Sequence, residues 1–558
     1  MQEYMEELIK EIIEKKLNLE ESLKLRRKLA RKYHPAVFPS IIQILSHAKE
    51  EQLSKLKHLI TKPTRTISGV SVIAIMTKPM KCPHGKCTMC PGGIESKFGN
   101  VPQSYTGKEP ATMRAIRNNY DPYLQVFNRL QQYILMDRTP DKIELIIMGG
   151  TFPAAPKKYQ EEFIKYAFKA MNDFGIMFYK KDKLQFEKFK KFFELPGNIH
   201  DQEREEKIIK KIQKLKGKCK LEDEQKKNEK AKLRCVALCL ETRPDYSKKK
   251  EINEMLKLGT TRVELGVQST YEDVLKKIER GHTVKDSKES TQLLRDSFLK
   301  TGYHLQPGLP GSSPNKDIQM FKEIFSNHEF MPDALKIYPC MVLKGTKLHQ
   351  QWKKNKYNPL TTELATKIIL QSKKYIPKFC RVMRIQRDIP TKVTEAGVNI
   401  TNLRQKIHEE LKDRCKCIRC KEPRGRKIDF KKIKLLRYNY EASNGKEIFL
   451  SFEDTENDIL LGFCRIRKPY KPFRKEITKD SVGIRELHVY GDAIAIGQKG
   501  KGIQHKGYGK KLMEEAEKIA KKELKAKKIL VISGIGVKEY YKKLGYKKDG
   551  VYMSKKLN

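Results

Sequence analysis

The sequence contains no run of about 20 apolar residues, the length a membrane-spanning helix needs. Its opening, MQEYMEELIKEIIEKK, mixes acidic and basic residues and lacks the apolar stretch of a signal peptide. No membrane association is expected; the cytosol or nucleus is the expected location, with a cytoplasmic one taken first. Internal repeats are absent too, which argues against a repeat array. Acidic charge is short: 68 Asp and Glu face 117 Lys and Arg, leaving a net charge of +49. That excess suits a polyanionic partner, although a lysine-rich surface that is merely solvated is the competing reading.

Disulfides are not expected in a reducing compartment, so the twelve cysteines need another explanation. Cys82, Cys87 and Cys90 form one tight cluster and Cys415, Cys417 and Cys420 a second, while Cys219, Cys235, Cys239, Cys340, Cys380 and Cys464 are scattered. Close clusters point to metal.

A chain of 558 residues is long enough for several domains. Residues 1–62 carry helical periodicity and a basic face (Lys24, Arg26, Arg27, Lys28, Arg31, Lys32), broken at His34-Pro35 and near Pro39. They read as a small basic helical module, either for nucleic acid or simply solvated. From residue 70, short apolar runs (VSVIAIM, IELIIMGG, CVALCLE, RVELGVQS, HLQPGLPG, ALKIYP) alternate with helical stretches. Over 63–377 this predicts an α/β fold, repeated βα units around a parallel sheet or partial barrel, with catalytic groups at the strands' C-terminal ends. Residues 180–234, crowded with Lys and Glu and poor in aromatics after Phe193, are expected to be a mobile or helical insertion without catalytic groups. Residues 378–430 read as a connector carrying the second cysteine cluster. From 431 to 558, antiparallel strands (KEIFLSFED, LLGFCRIR, GIRELHVYG) lead to a glycine turn, a long helix over 506–523, a strand KILVISG and a short tyrosine-bearing helix.

Cys82-x4-Cys87-x2-Cys90 follows directly on the first predicted strand. Three thiolates can hold three irons of a [4Fe–4S] cluster and leave the fourth open to chelate S-adenosylmethionine (SAM) for reductive cleavage. A zinc site is the alternative, with His84 as the nearby fourth ligand. The surroundings resemble the radical-SAM superfamily strand by strand. Gly149-Gly150-Thr151 follows IELIIM, where bare backbone can approach the methionine part of the cofactor. Glu241 follows CVALCL, RVELGVQS carries Glu264 and Gln268, and Arg280 lies in IERGH. The resemblance implies SAM contacts at Gly149, Gly150, Glu241, Gln268 and Arg280.

Gln504-His505-Lys506-Gly507-Tyr508-Gly509 fits Q-x-x-G-x-G between a strand and a helix. Backbone amides at such a helix start can bind the pyrophosphate of coenzyme A, helped by the helix dipole, Lys506 and Lys510. The turn, with the KILVISG strand and VKEYYKKLGY behind it, resembles the GNAT acetyltransferases, whose closing-helix tyrosine protonates the departing thiolate. Tyr540 and Tyr541 are adjacent, so they point about 100° apart and only one can face the thioester. Tyr541 is the expected one. Cys415-x-Cys417-x2-Cys420, flanked by Lys412, Arg414, Arg419 and Arg424, reads as a structural zinc site, with Cys380, then Cys340 and His408, as candidates for the fourth ligand. Three reduced cysteines on a basic loop are the alternative.

Together CPHGKCTMCPGG, YDPYLQ, MGGTF, ETRPD, ELGVQS, RGH, LPG, KIYP, RIQRDIP, ELHVYG, QHKGYG and YYKKLGY resemble the Elp3 family from residue 20 to the end. The x4 gap in the first cluster, longer than the superfamily's usual x3, also points there, and the triplet near 415 resembles archaeal-type members. The resemblance implies a radical-SAM partial (β/α) barrel followed by a GNAT domain. It also implies SAM, a [4Fe–4S] cluster and acetyl-CoA used together, and a carboxymethyl group or its precursor added to carbon 5 of the wobble uridine of tRNA. Acetyl-CoA contacts are implied at Lys142, at Glu486, Leu487, His488 and Val489, at Tyr508, Gly509 and Lys510, and at Tyr541. Implied partners are the tRNA anticodon loop and either a second copy of the chain or Elongator-type subunits. Two other readings stand beside this one: a protein lysine acetyltransferase with a structural iron–sulfur domain, and a non-catalytic RNA-binding subunit.

Overall fold

The computed structural model describes residues 1–35, 38–59, 69–136, 140–197, 201–411, 415–491 and 507–557. Lys412 and Arg414 of the second cluster's flank, and Gln504 to Lys506 of the glycine turn, lie outside the described residues. Among the described residues, no helix is long and apolar enough to cross a membrane.

Helix α1 (Gln2–Glu14) buries Tyr4, Met5, Leu8, Ile9 and Ile12, spaced to fall on one face. Helix α2 (Leu19–Tyr33) starts on a capping box of Asn18 and Glu21 and stops at His34, in the left-handed region, before Pro35. With α3 (Ile41–His47) these close a small core of their own. Lys24, Arg27, Lys28, Arg31 and Lys32 are exposed. Arg26 differs from the expected basic face: it stacks over Phe38 and donates to the Pro39 carbonyl.

The next domain is a sheet of seven parallel strands in chain order: β1 (Ser71–Met76), β2 (Lys142–Met148), β3 (Arg234–Thr242), β4 (Arg262–Gln268), β5 (Lys300–Leu305), β6 (Ala334–Ile337) and β7 (Arg381–Ile385). Strand β7 comes from the stretch read as a connector, and HLQPGLPG turns away after Leu305 where Pro307 ends the pairing. On β2, Ile143, Leu145 and Ile147 are buried under α4 (Pro122–Leu135) and α5 (Lys157–Phe178), while Lys142, Glu144, Ile146 and Met148 are half-exposed. The strand period of two therefore separates a helix-covered face from an open lumen. The insertion is helical, with α6 (Gln202–Lys216) and α7 (Leu221–Asn228); Phe189 and Phe193 pack on Phe174 and Phe178 of α5, and Phe186 stacks on Phe189.

The C-terminal sheet runs β8 (Ile433–Ala442), β9 (Gly445–Asp454), β10 (Ile459–Lys468), β11 (Ser481–Val489), β12 (Lys528–Val531), β14 (Tyr552–Lys556), β13 (Lys547–Asp549). All neighbours are antiparallel except β11 and β12. Helix α8 (Tyr508–Lys522) buries Leu512, Met513, Ala516, Ile519 and Ala520 against this sheet, and α9 (Lys538–Lys543) carries the tyrosine pair.

This domain sits against the N-terminal ends of the barrel strands. Gly534 lies on the Val236 carbonyl, where an added Cβ would come within 2.0 Å. Buried ion pairs lock the junction. Arg485 holds Asp333 at 2.6 and 2.8 Å, Arg295 reaches Glu447 at 2.7 Å, Arg467 reaches Asp296 at 2.5 Å, and Lys300 meets Glu486 at 2.8 Å. Removing one partner from such a pair typically costs about 3–5 kcal/mol, because the other charge is left buried and uncompensated.

Candidate active site

Three features bear on function: a cysteine loop at the C-terminal strand ends, a charged lumen, and strand β11 of the second domain, which meets the N-terminal end of β5 through Lys300 and Glu486.

The loop after β1 presents Cys82, Cys87 and Cys90. Cys82 Sγ is 3.3 Å from Thr151 Oγ1, His84 Nε2 is 3.1 Å from Cys87 Sγ, Arg280 Nη1 is 3.6 Å from the same sulfur, and the Ser104 amide donates to Cys90 Sγ at 3.2 Å. A cavity of about 220 Å³ opens beside Cys82 and Gly149. Burial raises Cys82 and Cys90 above the ordinary thiol value, so a cation must displace their protons. Three thiols on one loop, with a cavity beside Cys82 and a guanidinium beside Cys87, fit an anionic [4Fe–4S] centre with an open iron.

Of the residues expected to meet SAM, Gly149, Gly150, Gln268 and Arg280 gather at the same end. Gly149 has φ of +117°, and a Cβ there would stand 2.3 Å from Thr77 Oγ1, so only glycine lets the backbone face the cavity. Gly150 follows at φ +80°. Gln268 ends β4 at φ +70°, a strained setting for a non-glycine residue of the kind that marks functional sites. Arg280 is buried and held by the Gly266 carbonyl at 2.7 Å.

Glu241 sits deeper, inside the lumen, among polar and charged groups not singled out from the sequence: Lys336, His304, Arg262 and Tyr105. Lys336 Nζ is 2.6 Å from Glu241, Arg262 joins Glu144 and Glu264 at 2.5 and 3.0 Å, and the Tyr105 hydroxyl donates to Glu241 at 3.3 Å. The signal that could have found them is the recurrence of Glu, Arg, Lys and His on buried parallel strands, which are ordinarily apolar throughout.

In the second domain, β11 pairs with β12 only from Ser481↔Lys528 to Ile484↔Val531. Residues 481–485 are buried, and Glu486, Leu487, His488 and Val489, past the last pair, are half-exposed. Beyond that the Ile532 amide still donates to the Ile484 carbonyl, and residues 486–489 have no partner on β12. Lys300 and Arg465 hold Glu486 at 2.8 and 2.9 Å. Burial opposes its charge, but these two cations bring it down to about 2. His488 is lowered to about 4 by burial, and its Nε2 has no hydrogen-bond partner among the described residues. A buried ring nitrogen without a partner is uncommon and marks this strand end as a place to look for a ligand.

Gly507, at φ +79°, leads into α8, followed by Tyr508, whose ring lies against Phe452, Gly509, and exposed Lys510. The tyrosine pair diverges as their adjacency requires. The Tyr540 hydroxyl reaches Gly509, whose Cβ would lie 3.1 Å from it, whereas Tyr541 is buried against Tyr546 in the domain core. Burial pushes Tyr540 up to about 12 and Tyr541 higher still, so both hydroxyls keep their protons. Lys142 is at the barrel's N-terminal end beside Asp141 and Arg234, where the 535–538 turn of the second domain packs, and burial lowers its pKa.

The thiols of Cys415, Cys417 and Cys420 lie within 4.8 Å of one another, with 3.6 Å between the last two sulfurs, a size that suits one metal ion. Cys380, the expected fourth ligand, is buried in the barrel core and accepts the Ile418 amide at its carbonyl.

Comparison with known proteins matches the ELP3 N-terminal domain over residues 1–67, the Radical SAM superfamily over 79–324, the Radical SAM C-terminal domain over 332–413 and the GNAT acetyltransferase family over 409–546. The chain is 51% identical to the tRNA uridine(34) acetyltransferase of Methanocaldococcus infernus, covering 93% of this chain and 92% of that protein. It is 39% identical to Elongator complex protein 3 of Saccharomyces cerevisiae, over 94% and 89%. A solved structure of the M. infernus Elp3 with residues 1–46 deleted aligns at TM-score 0.72 and 46% identity, covering 88% of this chain and all of that one. With a radical-SAM half-barrel, a GNAT domain and this identity along nearly its whole length, the chain belongs to the Elp3 family.

Proposed function

We propose that the chain uses acetyl-CoA and SAM to modify carbon 5 of the wobble uridine of tRNA, adding a carboxymethyl group or its precursor. The observation that supports this is that β11 of the second domain meets the barrel at the N-terminal strand ends, where Lys300 holds Glu486, while the cysteine loop lies at the C-terminal ends beside Arg280. When bound, a [4Fe–4S] cluster and SAM supply a carbon radical, which uracil carbon 5 requires because it is too poor a nucleophile for acyl transfer.

The chain's own part is to hold and orient. Cys82, Cys87 and Cys90 would ligate the cluster. The backbone at Gly149 and Gly150, with Gln268, Arg280 and Glu241, would hold SAM. The amides of Tyr508, Gly509 and Lys510 at the start of α8 would take the pyrophosphate of coenzyme A. Glu486 to Val489 would line the pantetheine arm, and Lys142 would reach it across the junction. Tyr541, kept protonated by burial, would give its proton to the departing thiolate, while Tyr540 stands at the glycine turn.

The basic helices of residues 1–62 would hold tRNA through its phosphates, with base contacts adding to charge once the uridine leaves the anticodon stack. Cys415, Cys417 and Cys420 would bind zinc, with Cys380 nearby, where the chain passes between domains; the metal content of the purified protein tests this. A second copy or Elongator-type subunits as partners, and a cytoplasmic location, belong to the same reading.

The test incubates the protein anaerobically with tRNA, SAM, acetyl-CoA carrying a deuterated methyl group, and reductant. Nucleosides and 5′-deoxyadenosine are then analysed by mass spectrometry. Label is expected in both. Label found only in acetylated lysine would replace this reading with that of a protein acetyltransferase.

A further inference from the structure

The lumen holds a group whose arrangement resembles a metal site. A carboxylate oxygen of Glu241, another of Glu264 and a ring nitrogen of His304 lie within 4.8 Å of one another. Two carboxylates and an imidazole at that spacing are a donor set for a divalent ion. Anions this close, inside a barrel, repel unless a cation stands between them.

Here the cation is a side chain. Lys336 Nζ lies 2.6 Å from Glu241 Oε1 and 2.5 Å from Glu264 Oε2. The remaining valences are also met: His304 Nε2 is 2.8 Å from Glu264 Oε2, Arg262 is 3.0 Å from Glu264 Oε1, and the Tyr105 hydroxyl donates to Glu241 Oε2 at 3.3 Å. Lys336 is 9% exposed and Glu264 1%. Burial disfavours both charges, yet the carboxylates hold Lys336 well above the usual lysine value, and Lys336 and Arg262 hold Glu264 well below the usual carboxylate range.

A tethered ammonium differs from a bound ion in two ways that matter here. It cannot be lost or exchanged, and it has no redox chemistry. A chamber that has to receive iron at its cysteine loop would otherwise collect iron at a two-carboxylate, one-imidazole site a few residues deeper along the strands.

We infer that Lys336 is a positioning residue whose ammonium takes the place of a divalent cation, fixing Glu241 and Glu264 across the lumen and denying that site to metal. Its consequence for SAM rests on the proposed contact at Glu241; the substitution of lysine for metal does not.

The experiment uses the full chain with its cluster installed anaerobically and Mn²⁺ as the probe, followed by electron paramagnetic resonance and equilibrium dialysis. Wild type is expected to take up no Mn²⁺ in the lumen, Lys336→Met to bind a single ion, and Lys336→Met/Glu264→Gln to lose it again. In 5′-deoxyadenosine formation, Lys336→Met should raise KM for SAM by roughly tenfold with kcat little changed, and Lys336→Arg should stay within roughly threefold of wild type. Equal Mn²⁺ binding in wild type and Lys336→Met, or retention in the double variant, overturns the inference. Should Lys336→Met fail to fold, the double variant, which removes one charge of each sign, decides by KM: a wild-type value overturns the positioning role and a raised one supports it. A wild type that makes no 5′-deoxyadenosine would remove the proposed function and leave the Mn²⁺ result to judge the lysine.

Discussion

Asp333 is the carboxylate on which the two catalytic domains are pinned, and Asp333→Asn tests how much the junction depends on it. It accepts from Arg485 at 2.6 and 2.8 Å and from the Thr301 amide at 2.9 Å, with Arg295 and Arg465 each 3.4 Å away. Asparagine keeps the shape and one acceptor but leaves three buried guanidiniums short of a negative charge. Because Glu447 and Glu486 still face those arginines, the loss should sit at the low end of the range for breaking a buried pair, about 3 kcal/mol. Burial raises Asp333, but the arginines outweigh it and hold the carboxyl far below its usual value. A depressed carboxylate gives stability that is whole above its unfolded pKa, near 4 for an aspartate, and lost as pH falls through that value toward the folded one. The wild-type contribution is therefore flat from neutral pH down to about 5, and the variant should show its full deficit across that window. Urea unfolding followed at several probes is the assay, since a multidomain chain need not unfold in one step. Lys24→Ala, which removes an exposed helix pair with Glu20, is the control and should leave the midpoint unchanged. A shift below about 1 kcal/mol for Asp333→Asn, no larger than a surface pair gives, would refute the account of the junction.

Cys87→Ser should lose cluster absorbance and SAM cleavage while the second domain stays folded and binds acetyl-CoA; full tRNA modification by this variant would rule out the radical route. Tyr541→Phe should lower tRNA-stimulated coenzyme A release by about 10²–10⁴-fold with tRNA affinity intact, and Tyr540→Phe by much less. The reverse order, with Tyr540→Phe the more damaging, would mean that the hydroxyl at Gly509, and not the buried one, meets the thioester. Binding of tRNA should weaken with salt at roughly −0.7 to −0.9 log units per log salt for each phosphate contacted, and deletion of residues 1–59 should flatten that slope. An unchanged slope would take the basic helices out of tRNA binding.

Much of the fold follows from local pattern. A run such as IELIIM places a strand because alternate residues must serve a helix layer, and the glycine pair at 149–150 marks a close backbone approach whatever the rest of the chain does. Cys82, Cys87 and Cys90 share one loop, so their spacing alone brings them together. The seventh strand was not legible: RVMRI is five residues long, and only the open edge of β6 makes it a strand.

What sequence alone could not decide is which charges meet. Arg295, Asp333, Glu447 and Arg485 are far apart along the chain and neutralise one another only because the second domain closes the N-terminal end of the barrel. Lys336 reads as an ordinary lysine in KIYP until β3, β4 and β6 curl to bring Glu241 and Glu264 to its ammonium. The surroundings of Tyr540 and Tyr541, Gly509 for the first and Tyr546 for the second, are likewise set only by the tertiary structure. Composition and spacing determine which chemistry is available, since ligands and turns are local. Pairing of buried charges is long-range, because a charge leaves water only where a distant partner has already been carried to it, and that is decided by the tertiary structure.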